Sequence, residues 1–227
     1  MELILIWLLV TFSIATFSVL IGKKYGVIYP TVIFAGLSVL ANILAVKLVT
    51  IGEYVVPAGT FVFITTYLIT DLVSEIWGKK ESRNAVWAGF YLNIVAVVSI
   101  YIAIQWPTAV FAIEMGDMFA QVLGGTWRII TASMIAYLIS MHLDVTFFHM
   151  IKKWTKGKHL WLRNNLATIP ANAIGATVFV LIAFWGVVPN VWSMILTLAI
   201  AQSVMVLIDT PFVYLIRYLA NKIETKK

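Results

Sequence analysis

The sequence predicts an all-α, polytopic integral membrane protein with about seven transmembrane helices, its N-terminus outside and its C-terminus in the cytoplasm. Three observations carry that expectation. Seven apolar runs, at residues 3–21, 30–50, 57–77, 85–106, 127–150, 166–188 and 191–216, approach or exceed the roughly 20 residues needed to cross about 30 Å of hydrocarbon. The 227 residues are 62% hydrophobic and 11% charged, with a mean hydropathy of +0.96, a composition that excludes a soluble domain of this length. Finally, fourteen of the sixteen Lys and Arg fall in every second gap between runs, which the positive-inside rule places in the cytoplasm.

Each element follows from its run and the residues that close it. The first run ends at Lys23 and Lys24 and has no basic region before it, so it reads as a retained helix and not as a signal peptide. The second and third runs are separated by a gap that holds only Glu53, and the third ends at a gap carrying Lys79, Lys80 and Arg83. The fourth ends at Trp106. Residues 110–123 then mix Phe111, Met115, Met118 and Phe119 with Glu114, Asp117 and Gln121, the pattern of a short helix lying at the interface. The fifth run leads into the longest inner loop, 152–165, with Lys152, Lys153, Lys156, Lys158 and Arg163; the sixth and seventh have no cation between them. Arg217, Lys222, Lys226 and Lys227 close the chain. Trp106, Trp127, Trp154, Trp161 and Trp192 sit near span ends, as anchors in the interfacial belts do. Pro57, Pro170 and Pro211 fall at or near expected helix ends, where a missing N–H is tolerated. Loops this short leave no extramembrane module, so residues 1–227 read as a single transmembrane domain.

The same features bound the chemistry. A net charge of +6 would suggest nucleic acid in a soluble protein, but here the topology accounts for the basic loops and anionic lipid is their expected partner. With no cysteine, disulfides, thiolate catalysis and Cys-ligated metals are excluded. No paired-His zinc motif or nucleophile elbow is present, so neither a metal, a cofactor nor an enzymatic activity is implied.

Function should reside in the polar residues inside the spans, because each ionisable group at bilayer depth costs roughly 2.5–3.5 kcal/mol and normally faces a cavity or a partner. The second span carries Asn42 and, further out, Lys47. The third carries Tyr67, Asp71 and Glu75 at i, i+4 and i+8, on one helix face. Arg128 opens the fifth span, followed by Ser133, His142, Asp144 and His149. Asn172 and Gly175 lie in the sixth; Gln202 and Asp209 lie along the seventh. Plainer readings stand beside the functional ones: Arg128 can snorkel to the outer headgroups, Glu75 and His149 can be solvated near the inner interface, and Asp209 can cap a kink at Pro211. Asn42, Asp71 and Asp144 have short side chains that cannot snorkel far, and the alternative for them is a structural interhelical hydrogen bond. Together these groups suit a small polar ligand near the midplane. A purine-like heterocycle fits, since a carboxylate can accept two parallel N–H bonds from an amino-pyrimidinone edge while an aromatic ring stacks on its face.

These stretches resemble the vitamin uptake transporters, also called queuosine precursor transporters. The resemblance is carried by Asn42-Ile43-Leu44-Ala45-Val46-Lys47, by Tyr67 through Gly78 with Asp71 and Glu75, by Arg128 through Tyr137 running on to Asp144 and Phe148, by Trp161-Leu162-Arg163-Asn164-Asn165, and by Ile182-Ala183-Phe184-Trp185-Gly186. It spans residues 30–216 and leaves the helix at 3–21 as an addition to that core. Three departures are visible: Ile64 after Phe63 where the family pattern has Pro, Gly175 after Asn172 where it has Asp, and the first span, which some members lack.

The resemblance implies a plasma- or inner-membrane importer of 7-deazaguanine precursors of modified tRNA nucleosides, 7-cyano-7-deazaguanine or 7-aminomethyl-7-deazaguanine. It makes Asn42, Lys47, Tyr67, Asp71, Glu75, Arg128, Ser133, Asp144 and Asn172 the candidate substrate-binding residues. With no ATPase domain in these residues, energy would come from protons or another coupling ion, with Asp71, Glu75 and Asp144 as carriers, or from metabolic trapping. A homo-oligomer stays open. The first alternative is a substrate-binding membrane subunit that needs a separate energising partner. An intramembrane enzyme lacks a recognisable motif, and a seven-helix receptor of the retinal type lacks a lysine in the last span.

Overall fold

The computed structural model describes residues 2–51, 54–124, 127–186 and 190–224. Its order is α1 (Glu2–Tyr25), α2 (Ile28–Leu44), a hairpin of β1 (Leu48–Ile51) and β2 (Tyr54–Pro57), α3 (Gly59–Ile76), α4 (Lys79–Gln105), a 3-10 turn (Val110–Ala112), α5 (Ile113–Leu123), α6 (Trp127–Trp154), α7 (Leu160–Phe184) and α8 (Val191–Glu224). Six of these helices are long and apolar enough to span a bilayer; α2, the counterpart of the second predicted span, is apolar but has 17 residues, about 26 Å at 1.5 Å per residue. The chain is thus an all-helical multi-pass membrane protein, apart from the one hairpin.

That hairpin is where the structure departs most from the sequence expectation. The run at 30–50 does not stay helical: α2 stops at Leu44, and Leu48–Ile51 pairs antiparallel with Tyr54–Pro57, Leu48 opposite Pro57 and Ile51 opposite Tyr54. The physical reason lies in the composition of the segment: Val46, Val49, Thr50, Ile51, Val55 and Val56 are β-branched residues, which favour extended backbone. Lys47, expected inside a span, therefore follows the helix and is exposed; its carbonyl accepts the Ala58 N–H at 2.8 Å, tying the hairpin base to α3. Glu53 lies outside the described residues.

Helix α3 is the axis of the bundle. It contacts α1, α2, α4, α6 and α8 and is almost wholly buried, whereas α4 turns Tyr91, Val95, Val98 and Ile102 outward. In a bilayer that outward face meets acyl chains, so its exposure carries no hydrophobic penalty. Gly78 ends α3 with φ +89, a left-handed conformation that costs glycine nothing, and its N–H returns to the Val73 carbonyl at 3.1 Å. The N-terminal helix is seated in the bundle: Leu8, Phe12, Ala15 and Val19 are buried, Thr65 donates to Thr11 at 3.0 Å, and Phe12 meets Phe212 edge-on at 5.0 Å.

Helices α6 and α7 form the most extensive pair, joined by a turn in which Lys156, Gly157 and His159 all take positive φ. Helix α7 starts six residues before the predicted span, so Pro170 lies in its interior; α8 likewise runs past Pro211. Each proline lacks the N–H that would make the i to i−4 bond to the carbonyl of Leu166 or Leu207. Asn165 donates to Thr210 at 3.0 Å and joins the two helices near these breaks.

Candidate functional site

A cavity of about 670 Å³, counting its open mouth, lies between α2, α3, α6, α7 and α8. Its walls combine aromatic faces (Phe63, Tyr67, Tyr137, Phe179) with amides and hydroxyls (Asn42, Ser133, Ser140, Asn172, Gln202). Phe63 packs edge-on against Tyr67 at 5.4 Å, which fixes both rings. Gly175 makes the wall possible: a Cβ there would sit 2.7 Å from Ser140 Cβ, so α6 and α7 approach this closely only over a glycine.

Toward α4 the wall is held by a chain of amides. Asn42 donates to Asn93 Oδ1 at 2.6 Å, Ser133 donates to Asn42 Oδ1 at 2.7 Å, and Asn93 donates to Ser38 at 2.9 Å and to the Gly89 carbonyl at 2.8 Å. Asn42 and Ser133 therefore line the cavity while serving as interhelical pins between α2, α4 and α6. Tyr137 is pinned in turn by donating to the Val86 carbonyl at 2.8 Å.

The third-span trio becomes a ladder. Tyr67 is in the cavity wall, Asp71 lies one turn further along α3, and Glu75 a turn beyond that, with steps of about 6 Å. Asp71 (1% exposed) and Asp144 (0%) meet across α3 and α6 at the Thr168 hydroxyl of α7, which is 2.8 Å from Asp144 Oδ1 and 3.3 Å from Asp71 Oδ2. One hydroxyl has one proton, so Thr168 can donate to only one of the two carboxylates at a time. Thr70 also approaches Asp144, at 3.4 Å, although it is closer to the Tyr67 carbonyl at 2.9 Å.

Glu75 is neither at the cavity nor solvated. Its carboxylate is paired with Arg163 at 2.5 Å and Lys152 at 2.8 Å, so the outcome for this residue is an ion cluster at the cation-rich end of the bundle. Arg163, which sequence counting left in a loop, is fully buried: it donates to the carbonyls of Gly157 at 2.8 Å and Lys158 at 3.2 Å, and its guanidinium lies 5.6 Å from the centre of the Phe148 ring. The cluster thereby stitches α3, α6 and the start of α7 together.

The remaining candidates divide. Asn172, 1% exposed, lines the cavity; Lys47 is exposed beyond the end of α2. The side chains of Arg128 and Asp209 lie outside the described residues. His142 bonds through Nδ1 to its own helix at the Leu138 carbonyl (2.9 Å) and packs on Trp87, away from the site. Sequence reasoning did not pick Thr168, Arg163, Asn93 or Ser140, and it named Gln202 among the polar residues at depth without placing it among the candidate substrate-binding residues. A lone hydroxyl or amide in an apolar run carries no signal of what it will meet, whereas Arg163 had one: it lies in the resembling stretch Trp161 to Asn165, just before an apolar run.

Among known proteins, a family model described as "Putative vitamin uptake transporter" matches residues 57–216. The chain is 27% identical over 180 residues to a Bacillus subtilis (strain 168) protein named "Probable queuosine precursor transporter", covering 78% of each chain. It is also 27% identical over 130 residues to the Escherichia coli (strain K12) "Queuosine precursor transporter", covering 56% of this chain and 54% of that one. No solved structure matches. The matched stretch contains α3, α6 and α7, the three helices that build the Asp71, Thr168 and Asp144 cluster, and the chain belongs to the vitamin uptake transporter family.

Proposed function

We propose that this protein imports 7-deazaguanine precursors of modified tRNA nucleosides, 7-cyano-7-deazaguanine or 7-aminomethyl-7-deazaguanine, across the cell membrane. The observation that carries the reading is the lining of the cavity: aromatic faces with convergent amides and hydroxyls suit a flat heterocycle. Two relatives are named queuosine precursor transporters, which supports the reading. Residues 1–227 act as one transport unit, with the cation-rich end in the cytoplasm as the loop charges require.

In this reading Tyr67, Asn42, Ser133 and Asn172 contact substrate. Asp71 and Asp144 carry the coupling proton, since two carboxylates beside one hydroxyl in low dielectric are expensive to hold with both negative. Glu75 moves from carrier to structural pin, held by Arg163 and Lys152. Lys47 and Arg128 attract or gate the ligand at the outer end. Purified protein in proteoliposomes, with an imposed inward proton gradient, should accumulate labelled 7-cyano-7-deazaguanine. Uptake that ignores the gradient would remove proton coupling. Substrate binding without uptake by this chain alone would favour the subunit reading with a separate energising partner. No binding of either deazaguanine would remove the substrate assignment.

A further inference from the structure

Two carboxamides in the cavity wall have hydrogen-bonding atoms that no group among the described residues meets. Asn172 of α7 is 1% exposed, and neither its Oδ1 nor its Nδ2 has a partner; Gln202 of α8 is 8% exposed and its Oε1 has none. Both line the cavity. Burying such atoms forfeits their bonds to water, so orphans of this kind in a native fold call for an explanation. The other amide lining the cavity, Asn42, is already engaged, donating to Asn93 and accepting from Ser133. The carboxylates Asp71 and Asp144 sit deeper, against Thr168, and are not in the wall.

We propose that Asn172 and Gln202 are specificity-determining residues that grip the ring edges of the ligand, reading the N–H beside the C=O of its lactam. This rests on the transport reading above. A carboxylate offers only acceptors, whereas a carboxamide offers an acceptor and a donor side by side, the complement of a lactam edge. Two such groups on adjacent helices can engage two edges of one ring, while Tyr67 and Phe63 supply the apolar contact in the same wall. The ring edge is then read by amides, and the buried carboxylate pair is left for the coupling ion.

The test is direct binding to the purified full-length protein in detergent, using 7-cyano-7-deazaguanine and its derivative methylated on the lactam nitrogen. Wild type should bind the unblocked ring about tenfold or more tightly than the blocked one. This comparison needs no variant, so it stands even if one misfolds. Asn172→Leu and Gln202→Met should each lose about tenfold in affinity for the unblocked ring, a hydrogen bond's worth, and lose much less for the blocked one. Their ligand-free melting temperatures should be unchanged or higher, because an orphaned polar group has been replaced by an apolar one of similar shape. A role in packing alone, or in holding water, would leave the two ligands equally affected, and that result overturns the proposal while transport stands. Equal wild-type affinity for both ligands overturns it too. If neither ligand binds the wild type, the transport reading itself fails.

Discussion

Arg163→Met should be among the most damaging single substitutions in this protein. The Glu75 side chain is 8% exposed and shared between Arg163 at 2.5 Å and Lys152 at 2.8 Å, but the two cations are not equivalent: the Arg163 side chain is fully buried and that of Lys152 is 30% exposed. Arg163 also donates to the Gly157 and Lys158 carbonyls in the turn where Lys156, Gly157 and His159 hold positive φ. Removing one member of a buried pair costs about 3–5 kcal/mol, because the remaining charge stays in low dielectric. Removing a partly solvated partner costs about 1 kcal/mol or less. At roughly 2–4 °C per kcal/mol for a chain of this size, Arg163→Met should lower the melting temperature by about 6–20 °C and Lys152→Met by less than about 4 °C. The assay is thermal unfolding of the purified protein in detergent, followed by tryptophan fluorescence. Adding Glu75→Gln to Arg163→Met should recover part of the loss, since the two residues are in contact and their effects should not add. A melting temperature for Arg163→Met within about 2 °C of that for Lys152→Met would refute the reasoning and return Arg163 to the solvated loop that the sequence suggested.

Three further outcomes are expected. Asp71→Asn should abolish or strongly reduce uptake at normal membrane abundance, since it removes a buried charge without changing volume; wild-type initial rates would exclude Asp71 from the transport cycle. Cysteines introduced after Gly78 and Gly157 should be protected from an impermeant reagent in intact cells and one after Gly116 labelled, and the reverse pattern would invert the topology. Gly175→Ala should destabilise through a Cβ placed 2.7 Å from Ser140 Cβ, an overpacking cost of about 1–3 kcal/mol partly offset by about 1 kcal/mol of helix propensity. Ser140→Gly in the same chain should restore stability, and a melting curve for the double variant no better than for Gly175→Ala would show the contact is not the cause.

The sequence by itself determined the membrane class, six of the long helices, the family and the identity of most polar residues at depth. Those properties are local or additive: a backbone in hydrocarbon must satisfy its own hydrogen bonds, so about 20 apolar residues can do little but form a helix. The tertiary structure decided what each polar group meets. Whether the run at 30–50 stays helical depended on packing, because an apolar, β-branched stretch reads equally as helix end or strand, and α2 gives way to the hairpin after Leu44. Tyr67, Asp71 and Glu75 were legible as one face of α3, but not that the first would line a cavity, the second would meet Asp144 through Thr168, and the third would be held by Arg163. Thr168 and Arg163 were hard to find in the chain, and the role of Gln202 hard to read, because a side chain's partner is set by the rotation and depth of a helix against neighbours distant in sequence. Asn172 and Gln202, 30 positions apart, line one cavity only because α7 and α8 pack together.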